Sequence, residues 1–434
     1  MADKRLSVTG TGDSLFVARF PEEYHQSMRE VAEFIRACDI RLTNLETNLS
    51  DFEYFANAYS GGTWLNTRRE YLTELLRYGF QFFGNANNHA MDYGFDGLLS
   101  TIDTLDKYGV AHAGTGRSLE EAARPAILES QGQKVAVFAV DASFEDASRA
   151  GNATHDLKAR PGVNYLRHDT AYPISEEELA QLKAIAAKTH INQQREMSIA
   201  TGFLSPDPEG VFFLGKLKFT TRADTPVTSC HAKDKARLTE AIRQARETCD
   251  YVFILVHCHD NDGIRHENPP AYLVEFAHAC IDSGASAVFG GGCHCLRGIE
   301  LYRNCPVFYS LGDFIYQGLK VEYLPADFME KYNADIYLNA EQALLVRSRG
   351  NTVGLHCHKK NYQTVLPRLE FANGKLSAFS MLPVYLSFDR KDDMNGLPVA
   401  APAEEAAEIL ALLNNLSAPL GTHFTMKGNL MVVG

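Results

Sequence analysis

Five short segments of this 434-residue chain concentrate the side chains that hold cations or move protons. The densest is Asn85-Ala86-Asn87-Asn88-His89-Ala90-Met91-Asp92-Tyr93-Gly94. One Asx side chain suffices to cap the helix expected from Phe95. The surplus points to an Asn carbonyl oxygen as a metal or substrate ligand, beside an imidazole able to donate or accept a proton. In His257-Cys258-His259-Asp260, residues i and i+2 of an extended chain share a face, so His257 and His259 point together and Cys258 turns away. Cys293-His294-Cys295 follows Gly290-Gly291-Gly292, a run where backbone can approach a ligand closely. Thiolates there suit zinc, with only Cys293 or His294 expected to face the site. Asp13 in Gly12-Asp13-Ser14 and Glu46 in Asn44-Leu45-Glu46-Thr47 each read alone as turn chemistry. Both stand at the ends of successive strand-like runs, which makes the pair harder to dismiss. His356-Cys357-His358 reads as half-exposed strand residues, and His25, His190 and His278 lie in or near expected helices.

The elements that must position these groups alternate strand and helix, as in an α/β protein. Strands are expected at Leu6–Gly12, Ile40–Asn44, Phe80–Gly84 and Val135–Asp141, and helices at Glu22–Ala37, Arg68–Tyr78 and Phe95–Lys107. The first three strands end in polar residues, and in open α/β sheets the carboxyl ends of strands are where ligand groups collect. From Ala142 to Cys230 the pattern weakens around one helix, Ser175–Lys188, as expected of a lid that sets the substrate. Further strands are expected at Tyr251–Val256 and Ala287–Phe289, a helix near Ala271–Ser283, and a hairpin of Ile299–Tyr302 with Pro306–Leu311. The region from Glu341 to Leu386 alternates like antiparallel strands, and Ala403–Leu416 is an amphipathic helix. A single elaborated domain over 1–434 is the expected organisation, with 142–230 as the lid and 330–434 as C-terminal strands and helix.

The composition excludes several classes. With 42 Lys+Arg against 54 Asp+Glu the net charge is −12, which disfavours a nucleic-acid partner. No window of ~20 apolar residues suits a membrane span, and the first residues do not read as a signal peptide. Nine cysteines, an odd number, read as reduced thiols in a cytoplasmic protein.

The motif order resembles the CapA-type capsule and poly-γ-glutamate biosynthesis family, within the calcineurin-like metallophosphoesterase superfamily. The resemblance rests on Gly12-Asp13-Ser14, Asn44-Leu45-Glu46, Asn87 to Gly94, Gly116 to Ala122, Arg160 to Asn164, Arg297 to Glu300 and Tyr309 to Ile315. It implies an α/β fold, a four-layer αββα sandwich with strand-end loops around one or two divalent ions. Asp13, Glu46, Asn88, His257 and His294 look like the metal set, with His259 beside them, and His89 like the acid that protonates a leaving group. The donors suit Mn²⁺, Fe or Zn²⁺. Asp13, Glu46, His89 and His294 are the expected catalytic residues, and Asn87, Arg160, Asp260 and Cys293 the expected substrate contacts.

One departure matters. Where the superfamily usually has a further His before the last one, this chain has Gly291 and Gly292, so His259 or Cys293 would have to compensate. Gly312-Asp313 also replaces the common Gly-Asn, adding a carboxylate. The leading expectation is metal-dependent hydrolysis of a phosphoester or amide. A metal-free peptide epimerase using the same His and carboxylate groups, which needs no cofactor, and a non-catalytic accessory of polymer synthesis are the alternatives.

Overall fold

In a computed structural model, residues 4–222 and 226–434 are described. The fold is mixed α/β and is organised by two sheets that share one apolar core. The larger sheet runs in the order Phe424–Lys427, Leu430–Val433, Lys375–Tyr385, Gln363–Ala372, Arg5–Leu15, Ile40–Leu45, Phe82–Gly84, Ala111–Ala113, with Asp313–Tyr316 also paired to Arg5–Leu15. The smaller runs Ile299–Tyr302, Cys305–Phe308, Ala287–Gly292, Tyr251–Cys258, Gln133–Asp141, Ala126–Ser130.

Burial explains the sequence pattern of the central strands. In Tyr251–Cys258 every residue is buried, as a strand covered on both faces requires. Tyr251, Phe253 and Leu255 enter the core between the sheets with Val8, Leu42, Phe82 and Phe289. Val252, Ile254 and Val256 face the other way, against Leu238 and Ile242 of helix Ala232–Thr248 and Phe276 of helix Ala271–Asp282. Helices Arg29–Arg36, Leu72–Leu76 and Ala340–Arg347 cover the outer face of the larger sheet through Ile35, Leu75 and Leu344.

The register brings the strand ends level. Asp13 pairs with Asn44 on one side and Asp313 on the other, and the shift between Gly10 and Asp13 marks a bulge that re-aims the strand tip. In the second sheet His257 pairs with Asp141 and with Gly291.

Two expectations fail in the C-terminal third. Antiparallel pairing begins only at Gln363; before it, Ala340–Arg347 is a helix started by a capping box of Asn339 with Gln342. His356-Cys357-His358 is correspondingly not strand, because Leu355–Cys357 forms a 3₁₀ turn. The stretch 142–230 holds helix Glu176–Thr189, capped by Ser175, a second helix Gln193–Ala200 beyond the one expected, and short strands mostly paired with one another, such as Val211–Leu214 with Leu217–Thr220, while Gly162–Val163 pairs with Thr115–Gly116 outside it.

Candidate functional site

Alternation carries the inward series Tyr251, Phe253, Leu255 on to His257, which therefore meets the ends of the opposite sheet. Its Nδ1 lies 3.4 Å from Asp13 Oδ1 and its Nε2 3.6 Å from Glu46 Oε1. The amide of Asn44 donates to Asp13 Oδ1 at 2.6 Å, and the backbone N–H of Gly292 donates to Oδ2 at 2.5 Å. The Asn88 Oδ1 sits 2.7 Å from His257 Nε2, while its own amide donates to the Gly61 carbonyl. Asp13, Glu46 and His257 each offer a ligand atom, all within 4.8 Å of one another.

A second triad shares a member with the first. Glu46, His259 and His294 also offer ligand atoms within 4.8 Å. Glu46 is fully buried and neither of its oxygens has a hydrogen-bond partner. His294 follows the Gly-rich strand Ala287–Gly292 in a left-handed turn, φ 58°, and its Nδ1 stands 2.9 Å from Asp313 Oδ1. The backbone N–H of His259 donates to Ser143 Oγ at 2.7 Å, and its ring centroid lies 5.1 Å from that of His294.

Charge in this pocket is set by burial against mutual attraction. Burial pushes the Glu46 carboxyl up to about 7, against the pull of His257. Burial would also raise Asp13, but His257 and the hydrogen bonds to its oxygens hold it below the usual carboxylate value. His257 is raised to about 9 and His294 to about 10; burial opposes their charge, and Asp13 and Glu46 in one case and Asp313 in the other outweigh it. His259 goes the other way, driven well down by burial and by the neighbouring charges of His257 and His294.

His89 stands apart from the ligand triads. Its Nδ1 is 2.6 Å from Asp92 Oδ2, and its Nε2 is 3.8 Å from Glu46 Oε1. Asp92 also accepts backbone N–H groups from Gly61 and Leu65, so the ring is fixed from behind with Nε2 turned to the centre. A cavity of about 440 Å³, lined by Ser60, Asn88, Ser143, His259 and Asp260 among others, opens beside it.

The remaining expected substrate contacts are placed differently. Asp260 reaches the cavity, its carboxylate accepting from Tyr272. Asn87 is buried and braces two strand ends, donating to Asn44 Oδ1 and the Leu45 carbonyl. Arg160 is exposed and donates to the Arg149 carbonyl. Cys293 is fully buried with its thiol on the Cys295 carbonyl, so of the two ways to complete the ligand set it is His259 that joins Glu46. Two carboxylates add to the expected set. Asp141, buried with Oδ2 unpartnered and raised to about 6 by burial, ends its strand as Asp13 does; Asp313, also raised to about 6 by burial, turns toward His294.

A family model described as "Bacterial capsule synthesis protein PGA_cap" matches residues 7–318, which enclose the site from Asp13 to Asp313. The chain belongs to the PGA_cap family. Among similar proteins, Sinorhizobium fredii y4sH is 29% identical over 433 residues, covering 97% of this chain and 91% of that protein. The PGA biosynthesis protein CapA of Bacillus subtilis is 25% identical over 325 residues, 73% of this chain and 64% of its own length. The capsule biosynthesis protein CapA of Bacillus anthracis is 22% identical over 324 residues, 72% and 60%. Among the described residues of this PGA_cap member, no helix is long and apolar enough to cross a membrane.

Proposed function

We propose that this PGA_cap member is a divalent-metal-dependent hydrolase of the calcineurin-like metallophosphoesterase type, acting on a phosphoester or an amide bond in capsule-type polymer or peptide metabolism. One observation carries the reading. Glu46 is a carboxylate buried without a hydrogen-bond partner on either oxygen, shared by two ligand triads. Burying a carboxylate without hydrogen-bond partners is costly, and a cation on each side would offset that cost.

Asp13, His257 and Glu46, with the Asn88 carbonyl oxygen, would hold one ion, and Glu46, His259 and His294 the other. The mixed carboxylate, amide and imidazole donors fit Mn²⁺, Fe or Zn²⁺. Bound metal supplies Lewis acidity and an activated water. The side chains do the rest. Asp313 fixes the His294 ring through Nδ1, Asn44 and the Gly292 N–H fix Asp13, and Asp92 holds His89 so that its Nε2 donates a proton to the leaving group.

Metal analysis of the protein as purified, followed by chelation and reconstitution, tests the reading. At least two ions per chain, with hydrolysis of a chromogenic aryl phosphodiester or of candidate amide substrates lost on chelation and restored by Mn²⁺ or Zn²⁺, is expected. A metal-free protein whose melting temperature ignores both ions would overturn it.

A second reading has its own support in the His259 and His294 rings, 5.1 Å apart, one held neutral and one held charged by their surroundings. Such a pair suits proton removal and return at a peptide α-carbon. Incubation of candidate peptides in heavy water discriminates: epimerisation washes deuterium into one residue without any metal, and hydrolysis does not.

A further inference from the structure

His266, Cys293 and Cys295 also bring ligand atoms within 4.8 Å of one another, and Glu46 is not among them. Cys293 and Cys295 are buried, with Sγ atoms 3.7 Å apart, and His266 is half-buried with Nε2 2.7 Å from the Cys293 carbonyl oxygen. Most buried thiols of this chain are core residues: Cys230, Cys249, Cys258 and Cys280 pack in the apolar layer outside the smaller sheet. Cys293 and Cys295 belong to none of the apolar clusters among the described residues.

A second observation points at the same spot. Arg297 is fully buried, and its Nε and Nη1 have no hydrogen-bond partner; its Nη2 donates to the carbonyls of Asp260 and His266. The thiols of Cys293, Cys258 and Cys295 lie close enough to bear on the guanidinium. Buried N–H groups left without an acceptor are costly, and metal-bound sulfur beside them would accept from them better than a thiol does.

We propose that His266, Cys293 and Cys295 form a second metal site, a thiolate–imidazole seat for a zinc-class divalent cation, separate from the centre around Glu46. Binding releases one proton from each thiol to solvent, forms two metal–sulfur bonds and one metal–nitrogen bond, and leaves a neutral unit whose sulfurs accept from Arg297. Soft thiolates select zinc-like ions over Mg²⁺ or Ca²⁺. The two cysteines flank His294, whose φ of 58° is uncommon for a residue with a side chain. Metal held on both sides of that turn keeps His294 aimed at the other centre.

Cobalt(II) titration of the full chain, with a thiol-free reductant present, reads this site selectively. Thiolate-to-cobalt charge transfer absorbs in the near ultraviolet, whereas carboxylate and imidazole ligation does not. A band whose final amplitude corresponds to one thiolate-ligated cobalt per chain, retained in His259→Gln, reduced at least twofold in Cys295→Ser, and formed at least tenfold more weakly in His266→Gln is expected. Absence of the band, or a band undiminished in Cys295→Ser, overturns the proposal.

Should Cys295→Ser fail to fold, alkylation of the wild-type chain in mild denaturant decides. Zinc slowing the labelling of Cys293 and Cys295 relative to Cys280, where Mg²⁺ does not, supports the site. Equal protection of all three overturns it.

Discussion

Gly291 lies directly against Asp13: a Cβ on Gly291 would stand 2.4 Å from Oδ1 and 2.6 Å from Oδ2. No real side chain fits there, so an imidazole at position 291 has no room while Asp13 keeps its place. The next residue completes the arrangement by donating its backbone N–H to the same carboxylate.

Gly291→Ala is therefore expected to displace Asp13. Overpacking of this kind costs about 1–3 kcal/mol of stability, and bound metal should fall by more than the melting temperature suggests. Gly291→His should be worse still and should not restore a ligand. Elemental analysis beside thermal melting checks both; a Gly291→Ala protein with full metal content would contradict the account.

Glu46→Gln separates folding from function. The Glu46 carboxyl is raised from 4.5 to about 7 by burial, so the metal-free native state holds its proton where the unfolded chain has lost it. Stability of the metal-free protein then falls as pH rises from about 4.5 to about 7 and levels off above. At pH 8 the metal-free variant should exceed the wild type by on the order of 3 kcal/mol, yet bind metal far more weakly. Denaturant melts with and without chelator, across that pH range, give the comparison.

His89→Asn should leave metal content intact and lower kcat on an aryl phosphodiester by about 10²–10⁴. The loss should shrink for substrates with acidic leaving groups, which need no proton. A leaving-group series measured on both proteins shows it; a uniform loss across the series would remove His89 from the role of acid.

The Arg167–Asp234 pair lies away from the site and gives a pH effect of opposite sign. Arg167 donates to Asp234 through Nε at 2.7 Å and Nη2 at 2.8 Å, and its backbone N–H adds a third bond. Burial would raise the Asp234 carboxyl, but these bonds hold it below its ordinary 3.8. Its stabilisation is present above that value and lost as pH falls through the depressed one. Asp234→Asn should cost on the order of 2 kcal/mol at pH 7, with the gap from wild type closing in acid.

Much of the centre was legible because strand periodicity is local. The run Tyr251–Val256 fixes which face His257 and His259 share, and the polar strand ends mark Asp13 and Glu46. What stayed hidden depends on contacts between distant segments. Asp141 becomes a site carboxylate only because its register partner is His257, from a strand more than a hundred residues away. The choice between Cys293 and His294 turned on a left-handed φ that no period encodes. In helix Ala340–Arg347 the buried Ala340, Ala343 and Leu344 follow the i, i+3, i+4 spacing of a helix, and the Asn339–Gln342 cap marks its start; alternation holds only from Gln363 onward.

The centre draws Asp13 and Glu46 from one sheet and His257 and His294 from the other, so its width is the thickness of the core beneath it. That core is tight: a Cβ on Gly10 would come 2.7 Å from the Phe289 ring. The two sheets act as the jaws of a caliper whose opening is set by side-chain bulk several residues below the tips. Substitutions at Phe289 or Gly10, which touch no ligand, would thus retune which ions the tips can grip.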